Sequence, residues 1–150
     1  MKAPFYMGFF TALALAACAP PTPGQKAANE RHEKMEEMDD ALKAISDEAK
    51  KAAPDAAVMS QNAVIVADMA ESLPGWFPAG SGPQDGVKTH AKADLWDKTM
   101  EFADTTRLFQ EQTKELRAAS ADGAEAIAVQ AGDVGKQCKS CHDQYREKKD

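Results

Sequence analysis

Cysteine is scarce, three in 150 residues, and that scarcity excludes several kinds of protein. Cys18 stands alone, while Cys138 and Cys141 sit together, so no spaced set of pairs exists from which a disulfide framework could form. A structural zinc site draws four ligands, usually from two clusters, and the chain has a single cluster. A redox dithiol of the thioredoxin kind needs a strand leading into it, and no strand pattern precedes Cys138. Runs of β-branched residues are almost absent whereas alanine is abundant, which favours helix throughout. Positive charge is also in short supply. The 18 Lys and Arg residues face 24 Asp and Glu, a formal charge of −6 that argues against a nucleic-acid partner. No internal repeat is evident. No second constellation of acid, base or nucleophile is present either, and a non-enzymatic role is expected.

What the chain does have is Cys138-Lys139-Ser140-Cys141-His142, the C-x-x-C-H arrangement of covalent c-type haem attachment. Two cysteines three residues apart share one face of a helix, so both sulfurs can form thioethers to the two vinyl groups of one porphyrin. His142 stands one turn after Cys138 and can bind the iron from the same face as proximal ligand. One covalent haem c is therefore expected.

The N-terminal residues bear on location. Lys2 and the apolar run Phe5 to Ala17 read as a secretory signal, too short for a stable membrane span. Leu15-Ala16-Ala17-Cys18 is similar to the bacterial lipobox, in which the cysteine is diacylated and becomes the mature N-terminus; ordinary cleavage after Ala17 or Ala19 is the other reading. A lone reactive thiol is a liability in an oxidising compartment, whereas a lipidated one is not. Residues 1–17 are thus expected to be a lipoprotein-type signal peptide, 18–24 a proline-rich lipidated tether, and 25–150 one domain. The expected location is the periplasm, with the protein anchored to a bacterial membrane.

Periodicity predicts four helices. The first runs from about Gln25 to Ala53 with the seam Ala28, Arg31, Met35, Met38, Leu42, Ile45, Ala49 and Ala52. Arg31 breaks that seam, because burying an unpaired guanidinium costs several kcal/mol, on the order of the penalty for an isolated ion. A haem propionate inside the bundle would balance it; fraying of the helix start would instead let Arg31 reach solvent with its stem buried. A second helix follows Pro54, capped by Asp55, with Val58, Asn62, Ile65, Met69 and Leu73 turned inward. Leu73 to His90, dense in proline and glycine, reads as a long crossover loop. The third helix opens near Ala93-Asp94 and carries Leu95, Thr99, Phe102, Thr106, Phe109, Thr113 and Leu116. The fourth begins at Asp122, with Glu125 completing a capping box, and its seam is Ile127, Ala131, Val134, Cys138, Cys141 and Tyr145. Haem cysteines on a core seam place the haem inside the bundle. Gly132 and Gly135, each costing about 1 kcal/mol in mid-helix, suggest a close approach there.

The chain resembles the class II c-type cytochromes, cytochrome c prime and its low-spin relatives. The resemblance rests on Arg31-x-x-x-Met35, on Trp76-Phe77-Pro78-Ala79-Gly80-Ser81-Gly82, on Ala93-Asp94-Leu95-Trp96, and above all on the segment Val134 to Arg146. It implies an all-α, antiparallel four-helix bundle with haem between the helices. It also implies that Arg31 meets a haem propionate and that Met35 lies over the distal face, either ligating the iron or merely shielding it. Met38 and His32 are the alternative ligands on or beside that seam, and His32 is otherwise a haem contact. Arg146 is expected near the haem edge.

Two functions follow. One is a one-electron carrier with Met35 as distal ligand; the other is a five-coordinate protein that binds or sequesters NO or CO, with Met35 as a steric gate. The basic residues Lys136, Lys139, Arg146, Lys148 and Lys149 are a candidate docking face for an acidic redox partner. The carboxylates Glu30, Glu33, Glu36, Glu37, Asp39 and Asp40 read as a solvated outer face. Relatives commonly pair through their first two helices, so a homodimer is a further expectation.

Overall fold

The computed structural model describes residues 20–148, so the proposed signal peptide, Cys18 and Lys149 fall outside the described residues. The chain forms helices α1 (Pro23–Ala49), α2 (Ala56–Ser72), a single turn α3 (Asp94–Asp97), α4 (Thr99–Ala118) and α5 (Ala124–Tyr145). The four long helices make the expected all-α antiparallel bundle: α1 packs on α2, α2 on α4, α4 on α5, and α5 closes back on α1. None of the described helices is long and apolar enough to cross a membrane.

Local chemistry explains the helix starts. Pro23 occupies the first turn of α1, where a missing N–H costs nothing, and the Thr22 side chain accepts from the Gln25 N–H at 3.1 Å. The helix therefore takes in Pro23 and Gly24, which composition assigned to the spacer. Asp55 caps α2 as expected, accepting from Ala57 at 2.8 Å. Between α1 and α2 the buried Glu48 carboxylate accepts from the Asp55 N–H at 3.0 Å and from Lys51 Nζ at 2.5 Å. These bonds hold its pKa below the ordinary carboxylate value, Lys51 contributing most. Ala52 lies beyond the end of α1 and is exposed.

The core is built on the predicted seams of α1, α4 and α5. Met38, Ile45, Phe109, Leu116, Ile127 and Val134 are buried together with residues of α2. Thr106 and Thr113 share that depth because each hydroxyl donates to a backbone carbonyl one turn back, at 2.9 and 3.0 Å.

Three expectations fail, those for the buried face of α2, the third helix and the Asp122 cap. The buried face of α2 is Met59, Ala63, Val66, Ala67 and Ala70, whereas Val58 and Ile65 are 38% and 40% exposed. Apolar residues line both sides of this helix, and the side that is richer in alanine is the one buried. The third predicted helix is broken at Lys98 (φ −107°, ψ 51°), which turns Thr99 out to solvent. The crossover segment includes two short 3-10 turns, Leu73–Trp76 and Pro83–Asp85. Asp122 caps nothing: the chain reverses through Gly123 at φ +94°, a left-handed conformation suited to glycine, and α5 starts at Ala124 without a side-chain cap.

Candidate haem site

α5 presents Cys138 and Cys141 one turn apart, both free thiols and both half-buried. Cys138 packs against the main core, and Cys141 against a second cluster of Leu95, Phe102 and Tyr145 flanked by Phe77 and Trp96. The motif therefore straddles the seam between the two clusters. Burial pushes each thiol up to about 11, for Cys138 with a further push from Cys141 and Asp39. Redox dithiols need at least one thiol with a depressed pKa, so these surroundings oppose disulfide exchange. Among the described residues no three His, Cys, Asp or Glu side chains converge as a metal-ion cage.

His142 lies on the exposed side of α5, and partial desolvation, followed by the charge of Arg146, lowers its pKa. The neutral ring, which is the iron-ligating form, is thereby favoured. The charges of Asp39 and Asp143 oppose that shift.

Arg31 is 5% exposed and does not fray into water. Its guanidinium donates to Trp76 O at 3.0 Å, to Ser81 Oγ and Ser81 O at 3.2 Å each, and to Thr89 Oγ1 at 3.0 Å. It also stacks over Phe77 at 4.8 Å and Trp96 at 5.6 Å. The crossover loop thus wraps this side chain. All four acceptors are neutral, and they give the buried cation no counter-charge; burial lowers its pKa. Nothing in the sequence periodicity marks Ser81, Thr89 or the Trp76 carbonyl, because they lie in irregular backbone.

Met35, one turn after Arg31, is partly buried against the main core, the same cluster that Cys138 touches. Met38 is 4% exposed inside that core. The structure places His32 on the exposed face of α1, 3.4 Å from Glu36. Arg146 ends α5, its N–H donating to His142 O at 3.0 Å, and it bridges to Ala91 of the loop. Gly132 and Gly135 face open space rather than any close protein contact, so the expected close approach is not made within the protein.

The donor set fits one haem. Two half-buried thiols and an imidazole stand within two turns of α5, and a buried cation without an anion stands on α1. The family model described as Cytochrome C' matches residues 26–146. The chain belongs to that family. A cytochrome c' of Pararhodospirillum photometricum is 33% identical over 119 residues, 78% of this chain and 93% of the relative. A solved cytochrome c' described as having ligand-controlled dimer dissociation superposes with a TM-score of 0.77 at 26% identity, covering 86% of this chain and 100% of the other. An arginine-to-lysine variant of cytochrome c prime from Alcaligenes xylosoxidans, in the ferrous form with bound NO, superposes at 0.75 and 26% identity, covering 84% and 97%. As a member of the family, the chain is a haem-binding protein of electron-carrier type whose cofactor is one covalent haem c.

Proposed function

We propose that this family member is a periplasmic one-electron carrier whose haem is held by thioethers to Cys138 and Cys141, with His142 and Met35 as axial ligands. The observation that carries the reading is the placement of Met35: one turn from the buried Arg31, half-buried, and packed on the cluster that Cys138 touches. The haem supplies one-electron redox chemistry. Arg31, which pins the crossover loop, would hold a propionate, and the apolar core against Cys138 would keep water from the cofactor. A thioether ligand raises the potential relative to a second histidine.

The test is the absorption spectrum. Ferric protein with an Fe–S bond has a weak charge-transfer band in the red or near infrared that Met35→Leu removes, and its ferrous form binds CO slowly. High-spin ferric haem with rapid NO or CO binding refutes the carrier reading. That second reading, with Met35 as a packed distal gate, is favoured by the NO-bound relative with the same fold. In that case Met35→Ala speeds ligand entry by opening the space the side chain fills.

The exposed Val58, Val64 and Ile65 on α2 offer a face for a second copy of the chain. Cys18 is the proposed lipidation site, and diacylation would hold the domain at a membrane where a single chain would not. Labelled fatty acid that enters the wild type but not Cys18→Ala supports the anchor; a wild type that takes up no label leaves ordinary cleavage.

A further inference from the structure

We propose that the Tyr145 hydroxyl donates a hydrogen bond to a propionate of the haem, so that Arg31 and Tyr145 hold the carboxylate edge of the cofactor from opposite borders of one aromatic cluster. This rests on the haem c reading of Cys138 to His142. Tyr145 is 3% exposed, and its buried Oη has no hydrogen-bond partner among the described residues. Buried hydroxyls are normally paired, because desolvation without a partner is costly.

Packing alone does not account for a tyrosine here. Its ring meets Phe102 edge-on at 5.3 Å, in the cluster that also holds Leu95 and Cys141. A phenylalanine would make those contacts equally well, so the hydroxyl is surplus to the core. Phe102 in turn meets Phe77 at 4.9 Å, and Phe77 carries the Arg31 guanidinium at 4.8 Å. One border of the cluster therefore has a buried cation bonded only to neutral acceptors; the other has a buried donor with no acceptor. A carboxylate supplies what each lacks. Haem has two, on the edge away from its vinyl groups, and Tyr145 stands one turn beyond Cys141 on the seam that carries both cysteines. Of the lysines on neighbouring segments, Lys98 bonds Asp94 at 2.8 Å and Lys92 Nζ bonds the Asp143 and Gln144 carbonyls, and neither pairs with the hydroxyl.

The test compares holo wild type with Tyr145→Phe, which keeps the ring. Resonance Raman of the ferrous protein reads the propionate bending band: Tyr145→Phe is expected to shift one such band to lower frequency and to abolish its sensitivity to D2O, with covalent haem stain unchanged. Identical propionate bands in the two proteins overturn the proposal while leaving haem attachment intact. Absence of covalent stain in the wild type would instead overturn the haem reading itself. A crystal structure of the holo wild type gives an answer that does not depend on the variant folding. Tyr145 Oη within hydrogen-bond distance of a propionate oxygen supports the proposal, and a hydroxyl bonded elsewhere refutes it.

Discussion

Replacing Arg31 by alanine removes four hydrogen bonds and two cation–π stacks at once. The magnitude depends on what the loop does next. Ser81 Oγ keeps its bond to Pro78 O at 2.7 Å, and Thr89 Oγ1 keeps the Ala91 N–H at 3.2 Å, so these two hydroxyls are not orphaned. The Trp76 and Ser81 carbonyls lose a charged donor in a buried setting, at about 1–3 kcal/mol each. With the lost stacks, the total is at least about 3 kcal/mol, against roughly 0.5 kcal/mol for a surface change. For a domain of this size that corresponds to a fall of at least about 10 °C in Tm. Thermal melts of the holo protein followed by far-ultraviolet circular dichroism measure it. Arg31→Lys keeps the charge but cannot fork to four acceptors, and should fall between wild type and alanine. A Tm for Arg31→Ala within about 2 °C of wild type, on the same scale of effects, would refute the loop-pin argument.

Three further outcomes are expected. Replacing both Cys138 and Cys141 by alanine abolishes haem staining after denaturing electrophoresis, because each thioether is an independent bond; full staining in the double variant contradicts the attachment site. Glu48 has its folded pKa lowered, so its contribution is fully present above the unfolded value of about 4 and is lost as pH falls through the folded one. Acid unfolding below about pH 4 should therefore be less steep in Glu48→Gln, and superimposable acid curves would show that the carboxylate is idle. Electron transfer to an acidic partner should slow as salt rises, and slow again on charge reversal at Lys148. Lys136 and Lys139 are already paired with Asp133 and Asp143 on their own helix and should matter less; rates indifferent to salt and to these changes argue against a basic docking face.

How much was legible in the sequence varied with the physics of each element. The seams of α1 and α5 were readable because each has one apolar face, and Arg31 stood out as the residue that violated the pattern. The buried face of α2 was not readable, since Val58, Ile65, Met59 and Val66 make apolar stripes on both sides and only packing against α1 and α4 chooses between them. The crossover loop was recognisable by its breakers, but not the fact that it closes on Arg31, because loop carbonyls and hydroxyls have no period. Tyr145 was correctly placed on a core seam; its unpaired hydroxyl is a property of three dimensions. Asp39 lies on the solvated face the sequence assigned it, exposed and paired with Lys43 at 2.6 Å.

Arg31 and Met35 belong to the first long helix and the haem motif to the last, so the site is completed only when the two ends of the domain meet. Along the chain Arg31 comes first, and the two cysteines come only after α2, α3 and α4. Contacts of such wide sequence separation form late and slowly. Until then the α1 seam is covered by α2 and its cation by the crossover loop but not by α5, and the interval is when the chain is most open to misassembly and to proteolysis. On the proposed haem reading, loss of α5 would leave the cation and the loop that wraps it without the residues that attach the cofactor.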